Sequence, residues 1–488
     1  MDSIKLYNSK TNKLETLPIK EINVYLCGPT LYDDAHMGHA RVYVTYDYIK
    51  RVMNFLGFAV RTVMNFTDID KKIIEAKSDV QFFQKRFMDD MVALNVLDHE
   101  KTENVTENLQ EIKEYIKVLM DRGFAYERNG SVYFNLEEYK KKYLYPVFIR
   151  KEVNSKSDNT DKRNKNDFAL WKKREDIFWE SEYGKGIPGW HVECSAIILK
   201  TIGKNLDIHV GGQDLKYPHH ENELAQIRAH SDGEIDFFLH IGHININDIK
   251  MSKSLGNSKT IREELKLYNS DQIRFLFLLF NWKLSIDYSK ENLNKAVDYY
   301  NHVKSFIQNV ERKIIQSQKQ QFESKFENNF KLSIKYFNTK GKVLSCLKNN
   351  INTAETLRYL KQLMSFSTSW VIYDFRLLKN VYEYIMSIFH MLGISMDEKK
   401  INFKTEFENF LTKILLFDST VSEKVKKYES EEIDLNNLIL FRQEVRQRAL
   451  VTQNNKLLIE CEELRSILKN HRHIIVSDKG SDSRIQYL

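Results

Sequence analysis

The stretch Pro29-Thr-Leu-Tyr-Asp-Asp-Ala-His36-Met-Gly-His39 places two imidazoles with only Met37 and Gly38 between them. It lies between an apolar run and the start of a helical pattern. Free amide groups and the helix dipole make a helix N-terminus attractive to phosphate. His36 and His39 could therefore reach one phosphate group, with Gly38 letting a flat base or a ribose approach the backbone. Taken alone, a bare HxGH pattern fits two ordinary surface histidines as well. A second stretch, Lys250-Met-Ser-Lys253-Ser-Leu-Gly-Asn257, is a polar loop ahead of a helix. Its ammonium groups suit a polyphosphate as point charges, although lysine–serine turns are commonly just exposed. A third, Gly211-Gly212-Gln213-Asp214, follows the apolar run LDIHV. Paired glycines at a strand's end let a nucleotide pack on the backbone, and a nearby Asp can hold ribose hydroxyls. A tight turn with a helix cap would use the same residues.

The fourth candidate is a metal site. His219 and Glu223 are spaced i, i+4 and would share a helix face. Cys27 and Cys194 each end or follow an apolar element. Two thiolates, one imidazole and one carboxylate make a chemically sensible Zn2+ donor set. The spacing is not that of a zinc finger, and the default for a cysteine is a small core residue. The sequence leaves their convergence open.

Alternating strands and helices must position these groups. Residues 22–26 (INVYL) are a short apolar run closed by Cys27-Gly28-Pro29, which predicts a buried strand ending in a turn. Residues 39–56 have helical spacing and 59–66 predict a second strand, so a parallel α/β sheet is expected. From about 110 to 185 the pattern is less regular: SVYFNLEEY predicts a strand or hairpin, and the polar stretch 154–167 a surface loop. Alternation resumes near Trp190, with HVECSAIILKTIG as helix, LDIHV as strand, HENELAQIRAHS as helix and FFLHIGHI as strand. After about 260 the pattern turns helical. Residues 290–470 predict a bundle, and HIIVSDKGSDSRIQYL a small hairpin or a loose tail.

At 488 residues the chain is too long for one compact core, so two to four domains are expected. With 42% hydrophobic and 29% charged residues it has a soluble globular balance. A net charge of +7 fits a polyanionic partner such as nucleic acid without demanding one. Cys27, Cys194, Cys346 and Cys461 are far apart and follow no signal-peptide pattern, so no disulfide framework is expected and the expected compartment is the cytoplasm. No apolar run reaches the roughly 18 residues of a membrane span.

The order and combination of motifs say more than any one of them. HMGH near the start followed by KMSKS resembles the paired signatures of class I aminoacyl-tRNA synthetases. CGPTLYDDAHMGHAR, MNFTDID, KRNKNDFALWK, GIPGWHVECSAI, DIHVGGQDLKYPHHENELAQ and KMSKSLGN resemble the cysteinyl-tRNA synthetase family, in that family's order. The likeness is close over residues 5–290 and weaker in the helical C-terminal part.

The resemblance implies an α/β Rossmann-type catalytic domain with a parallel sheet and an insertion, an all-α anticodon-binding bundle and a small C-terminal segment. The expected boundaries are 1–110 and 186–250 for the split catalytic domain, 111–185 for an inserted connective subdomain, 251–310 for the KMSKS loop and stem-contact region, 311–425 for the bundle and 426–488 for the C-terminal domain. It implies ATP-dependent activation of L-cysteine and transfer to tRNA(Cys) by a monomer that binds no membrane. One Zn2+ is implied on Cys27, Cys194, His219 and Glu223, where it would bind the substrate thiol. Rejecting serine by about 10⁴-fold needs roughly 5.5 kcal/mol. A methylene or shape difference supplies about 1–3 kcal/mol, so bond chemistry must supply the rest. Cys27, Gly28, Thr67 and Trp190 would line the cysteine pocket. Thr30, His36, Gly38, His39, Gly212, Asp214 and Lys253 would bind ATP, which carries Mg2+. His36, His39 and Lys253 would act in catalysis with Lys250 as a helper. Three departures stand out: Lys71 where the family's T-D-x-D-D-K has Asp, Val210 where many relatives have Gly, and a C-terminal tail without the expected tryptophan. A cysteine-activating ligase that passes cysteine to an amino sugar would share the zinc and ATP motifs, but has less use for the helical region 290–470. A silent tRNA-binding homologue should have lost some of the motifs.

Overall fold

The computed structural model describes residues 3–18, 20–149, 161–176, 178–246, 249–251, 256–319, 326–369, 373–396, 435–452, 454–472, 474–479 and 482–487. It divides into two units, Met1–Ser395 and Met396–Leu488.

A hairpin of β1 (Lys5–Asn8) and β2 (Lys13–Thr16) precedes β3 (Glu21–Leu26). The run of β3 is nearly all apolar because both faces of the strand are covered, as parallel strands require. Pro29 follows the strand and helps to end it. α1 (Met37–Phe55) then starts on His36, whose side chain caps it. β4 (Ala59–Phe66), α2 (Lys71–Ala76), α3 (Val80–Ala93) and β5 (Lys101–Asn104) complete the first half. Asp70 and Asp79 cap α2 and α3 by accepting from backbone N–H groups, as short acidic side chains do at N-caps.

α4 (Leu109–Asp121) leads into an insertion of β6 (Ala125–Arg128), β7 (Ser131–Phe134), α5 (Leu136–Lys140), β8 (Ala169–Lys173) and β9 (Gly186–Pro188). Its strands form one antiparallel sheet in the order β6-β7-β8-β9. SVYFNLEEY thus forms a hairpin strand followed by a helical turn. The first half of the polar stretch 154–167 falls outside the described residues; its second half, from 161 on, holds Asp167, which accepts from Tyr126 Oη at 2.7 Å and from the Leu136 N–H at 3.0 Å.

The main sheet resumes through α6 (Trp190–Thr201), β10 (Asn205–Gly212), α7 (Glu221–Ser231) and β11 (Glu234–Ile241). Its order is β11-β10-β3-β4-β5, with every pair parallel. Chain order reverses beside β3, so a crevice opens at the C-terminal ends of β10, β3 and β4, where open α/β sheets bind ligands. A small sheet of β12 (Ile244–Ile246), β13 (Ile249–Lys250) and, after α8 (Ile261–Glu264) and α9 (Ser270–Leu278), β14 (Ile286–Asp287) borders it.

Helices follow: α10 (Lys290–Lys319), α11 (Phe326–Lys348), α12 (Thr353–Ser367) and α13 (Phe375–Met391). α10 is unbroken across residues 310 and 311. Buried arginines tie this part to α1. Arg41 donates to the carbonyls of Phe277 (3.1 Å), Asn281 (3.1 Å) and Trp282 (3.3 Å). Arg274 pairs with Asp47 and donates to the Leu392 carbonyl at 2.8 Å. Buried charges persist when their hydrogen bonds are made within the protein in this way. In the second unit α14 (Leu435–Thr452) and α15 (Asn455–Arg472) precede a hairpin of β15 (Ile474–Lys479) and β16 (Asp482–Tyr487). No helix among the described residues is long and apolar enough to cross a membrane.

Candidate active site

A cavity of about 340 Å3 occupies the crevice. Cys27 and Gly28 reach it from the end of β3, Thr67 from β4, and Gly212 and Asp214 from β10. Thr30, His36, Gly38 and His39 line it from the loop and first turn of α1, Trp190 and Cys194 from α6, and Lys250 from β13. His219 completes the floor, with the fully buried Glu223 behind it. Lys253 lies outside the described residues.

Backbone contacts fix the geometry. The Cys27 N–H donates to the Val210 carbonyl at 3.2 Å, and the Thr67 N–H to the Pro29 carbonyl at 3.1 Å. Gly28 is packed so closely that a Cβ would stand 1.5 Å from the Asn65 carbonyl oxygen. Gly28→Ala should therefore force the β3 turn away from β4. A lowered unfolding midpoint and loss of activity, at a cost of about 3 kcal/mol or more, are expected. An unchanged midpoint in a urea titration would show that the turn tolerates the methyl.

His36 Nδ1 accepts from the Gly38 N–H at 3.0 Å, and His39 Nδ1 accepts from the His36 N–H at 3.2 Å. With each Nδ1 an acceptor, the proton of each neutral ring sits on Nε2. The rings stack at 4.0 Å with 19° between their planes. A Cβ on Gly38 would stand 2.7 Å from His36 Cε1. The glycine is thus needed by the His36 ring itself, a reason the sequence reading did not supply.

The four proposed metal donors converge. Cys27 Sγ is 4.0 Å from Cys194 Sγ and 3.9 Å from Glu223 Oε1. His219 Nε2 is 3.7 Å from Cys194 Sγ and 3.2 Å from Glu223 Oε1. A tetrahedral zinc with the usual bond lengths has edges of about 3.8 Å between sulfurs and about 3.3 Å between nitrogen and oxygen. The donor set fits such an ion. Cys27, His209, His220 and Glu223 form an overlapping group. His209 Nε2, however, lies 2.6 Å from Glu223 Oε2, which is a hydrogen bond and too short for two ligands of one ion. His209 therefore orients the carboxylate. In the same way His191 and His219 meet Nδ1 to Nδ1 at 2.8 Å, leaving His219 Nε2 aimed at the cluster. His219 sits in the turn just before α7 rather than on the helix, yet still meets Glu223.

The electrostatics ask for a cation. Burial pushes the Cys27 thiol well up, with Cys194 and Glu223 adding to the effect. Cys194 is pulled down by a hydrogen bond from Cys27, but burial and Glu223 leave it at about 11. Burial lowers His219, so the imidazole is neutral and able to act as a ligand. Both thiols would be protonated at neutral pH without a metal; a divalent ion would ionise them.

The sequence reading missed Lys72, Asn65, Tyr32 and His243, which also line the cavity. It also missed His191, His209, His220 and His240, which surround the donors. The only signal was histidine pairing in YPHHENE and FLHIGH, for His220 and His240; His191 and His209 stand singly in GWHVEC and LDIHV. Asp214 meets Lys250 at 3.0 Å and His243 at 3.8 Å. Burial would raise its pKa, but Lys250 outweighs that and holds it low. Trp190 stacks on the His219 ring at 4.1 Å.

A parallel sheet whose crevice holds a histidine pair at a helix N-terminus beside a nucleotide-sized recess is the arrangement of a class I synthetase catalytic domain. Residues 13–298 match the family model described as tRNA synthetases class I (C) catalytic domain. A cysteine–tRNA ligase of Encephalitozoon cuniculi is 35% identical over 93% of this chain and 98% of its own length. A cytoplasmic cysteine–tRNA ligase of Dictyostelium discoideum is 34% identical over 95% of this chain and 73% of its own. The methionyl-tRNA synthetase of Mycobacterium tuberculosis, solved with methionyl-adenylate, shares the fold at TM-score 0.58 and 14% identity, over 77% of this chain and 90% of that one. The chain belongs to the cysteine–tRNA ligase family.

Proposed function

We propose that this chain activates L-cysteine with ATP and transfers it to tRNA(Cys), selecting cysteine through its thiol. The convergence of Cys27, Cys194, His219 and Glu223 at the floor of the crevice, beside the His36–His39 pair, carries the reading. A Zn2+ held by these four residues supplies a soft Lewis acid for a thiolate, which a serine hydroxyl does not match. Trp190 and Thr67 close the pocket around the small amino acid. In the first step a cysteine carboxylate oxygen attacks the α-phosphorus, the bond to the β-phosphate oxygen breaks, and pyrophosphate leaves with Mg2+. His36 and His39 donate from Nε2 to the phosphate oxygens as charge builds there. Lys253 takes the leaving pyrophosphate, with Lys250 beside it. In the second step a hydroxyl of the terminal tRNA ribose forms the ester and AMP departs.

Gly212 and Asp214 hold the adenosine. Loss of a charge-assisted hydrogen bond costs about 1.5–3 kcal/mol. Asp214→Asn should therefore raise the KM for ATP roughly tenfold or more, and leave the KM for cysteine within about twofold. Equal changes in both would remove Asp214 from the ribose site. The helices after residue 310 and the second unit serve as the tRNA-reading part of a cytoplasmic monomer. Charging of a cysteine tRNA transcript with labelled cysteine, run beside ATP–pyrophosphate exchange, tests the whole reading. Cysteine-dependent exchange without charged tRNA would transfer the proposal to an amino-sugar acceptor.

A further inference from the structure

Asn65 has no part in the reaction as described above, yet its buried side chain lines the cavity. It stands one residue from the end of β4 and two before Thr67. Side chains two apart on extended backbone point the same way, so its carboxamide and the Thr67 hydroxyl share one face. Asn65 Oδ1 accepts from the Gly28 N–H at 3.0 Å, and Nδ2 donates to Thr67 Oγ1 at 3.3 Å. Oδ1 also lies 3.9 Å from Cys194 Sγ.

The Gly28 N–H settles which end of the carboxamide faces where. A backbone N–H only donates, so it holds Oδ1, and turning the amide over would set two donors against each other. Nδ2 is thereby fixed on Thr67. Among the described residues the Thr67 hydroxyl has no other partner, so its own hydrogen and its second lone pair are left for whatever fills the cavity. Gly28 directly follows the sulfur donor Cys27, and its backbone is pressed against the Asn65 carbonyl. One side chain thus joins the turn that carries one sulfur donor, the second sulfur donor and the hydroxyl of the amino-acid pocket. Covalent bonds fix the span from a cysteine's sulfur to the groups on its α-carbon. A hydroxyl displaced by about 1 Å relative to the sulfur donors would miss them, and errors of that size cost about 100-fold in well-oriented sites.

We propose that Asn65 is a positioning residue for the amino-acid substrate: its carboxamide holds the Thr67 hydroxyl in register with the two sulfur donors, so that a cysteine bound through its thiol meets that hydroxyl with a substituent of its α-carbon. This inference rests on the function proposed above. Asn65→Ala should raise the KM for cysteine in ATP–pyrophosphate exchange by about 10–50-fold, within the range for a buried hydrogen bond lost with its partner left unpaired. The KM for ATP should stay within about twofold, and the metal content at about one ion per chain, which separates this effect from damage to the donor set. Thr67→Val keeps the shape of that side chain and removes the hydroxyl. It should raise the KM for cysteine by a similar factor. Adding Asn65→Ala to Thr67→Val should then raise it by less than about threefold more, because Asn65 acts through the hydroxyl. Should Asn65→Ala fail to fold, Asn65→Asp, which still accepts from the Gly28 N–H, takes its place in the cycle. A normal KM for cysteine in either single variant, or effects that multiply in full in the double variant, would overturn the proposal. A parallel rise in both KM values, or loss of the metal, would overturn it too and leave Asn65 a structural residue. If the unaltered protein itself shows neither exchange nor charging, the function proposed above is what fails.

Discussion

Replacing Cys27 by serine is expected to empty the metal site and to abolish useful cysteine binding while sparing ATP. Cys27 Sγ lies 4.0 Å from Cys194 Sγ and 3.9 Å from Glu223 Oε1, so it is one vertex of the donor set. A serine hydroxyl is hard and stays protonated at neutral pH, so the variant offers the ion three good donors at most. Even partners that only orient a metal ligand are typically worth 10–100-fold in affinity, and a ligand itself is worth more. Metal content should fall from about one ion per chain to near zero after dialysis, and the KM for cysteine should rise by about 100-fold or more. The KM for ATP should move by less than about threefold, because Gly212 and Asp214 lie on β10's side of the crevice. Retention of the metal, or a parallel rise in both KM values, would sink the thiol-recognition reading.

Four of the main sheet's five strands were legible because parallel strands covered on both faces carry largely apolar runs, whereas β5, KTEN, has none. LDIHV and INVYL announce themselves, and β4 occupies the residues read as a strand, Ala59–Phe66. The insertion was harder. Its strands are short and antiparallel, and only SVYF carries a clear signal. The small sheet of β12, β13 and β14 was unreadable, since two- and three-residue strands have no period. At the site, motif order named the metal donors and many of the residues that line the cavity, but not Asn65, Tyr32 or His243, nor the histidines that hold the donors. His209 is one letter inside an apolar strand, and nothing in its neighbours says that its ring reaches Glu223 fourteen residues on. Lys72 was passed over because an exposed lysine has no pattern. Gly38 was read for a nucleotide's approach, and the structure adds a reason that no spacing shows: its missing Cβ makes room for the capping histidine.

His39→Ala separates a structural role from a chemical one. His39 Nδ1 accepts from the His36 N–H at 3.2 Å, and His36 Nδ1 accepts from the Gly38 N–H at 3.0 Å, so the pair forms a reciprocal cap on α1. Losing such a cap costs about 1 kcal/mol of stability. If capping were all that His39 did, the variant would unfold slightly sooner and activate cysteine almost normally. In the function proposed above both rings, which stack and line the cavity, also donate from Nε2 to the phosphates, and donors aimed at developing charge are worth about 10²–10³ in kcat. The exchange rate should therefore fall by about that factor, far beyond the effect of the cap, with the KM for cysteine and the metal content unchanged. His39→Asn, which restores a hydrogen-bonding side chain without the ring, should recover part of the rate. A loss below about fivefold, or one matched by metal release, would confine His39 to the helix cap and leave the transition-state charge to His36 and the lysines.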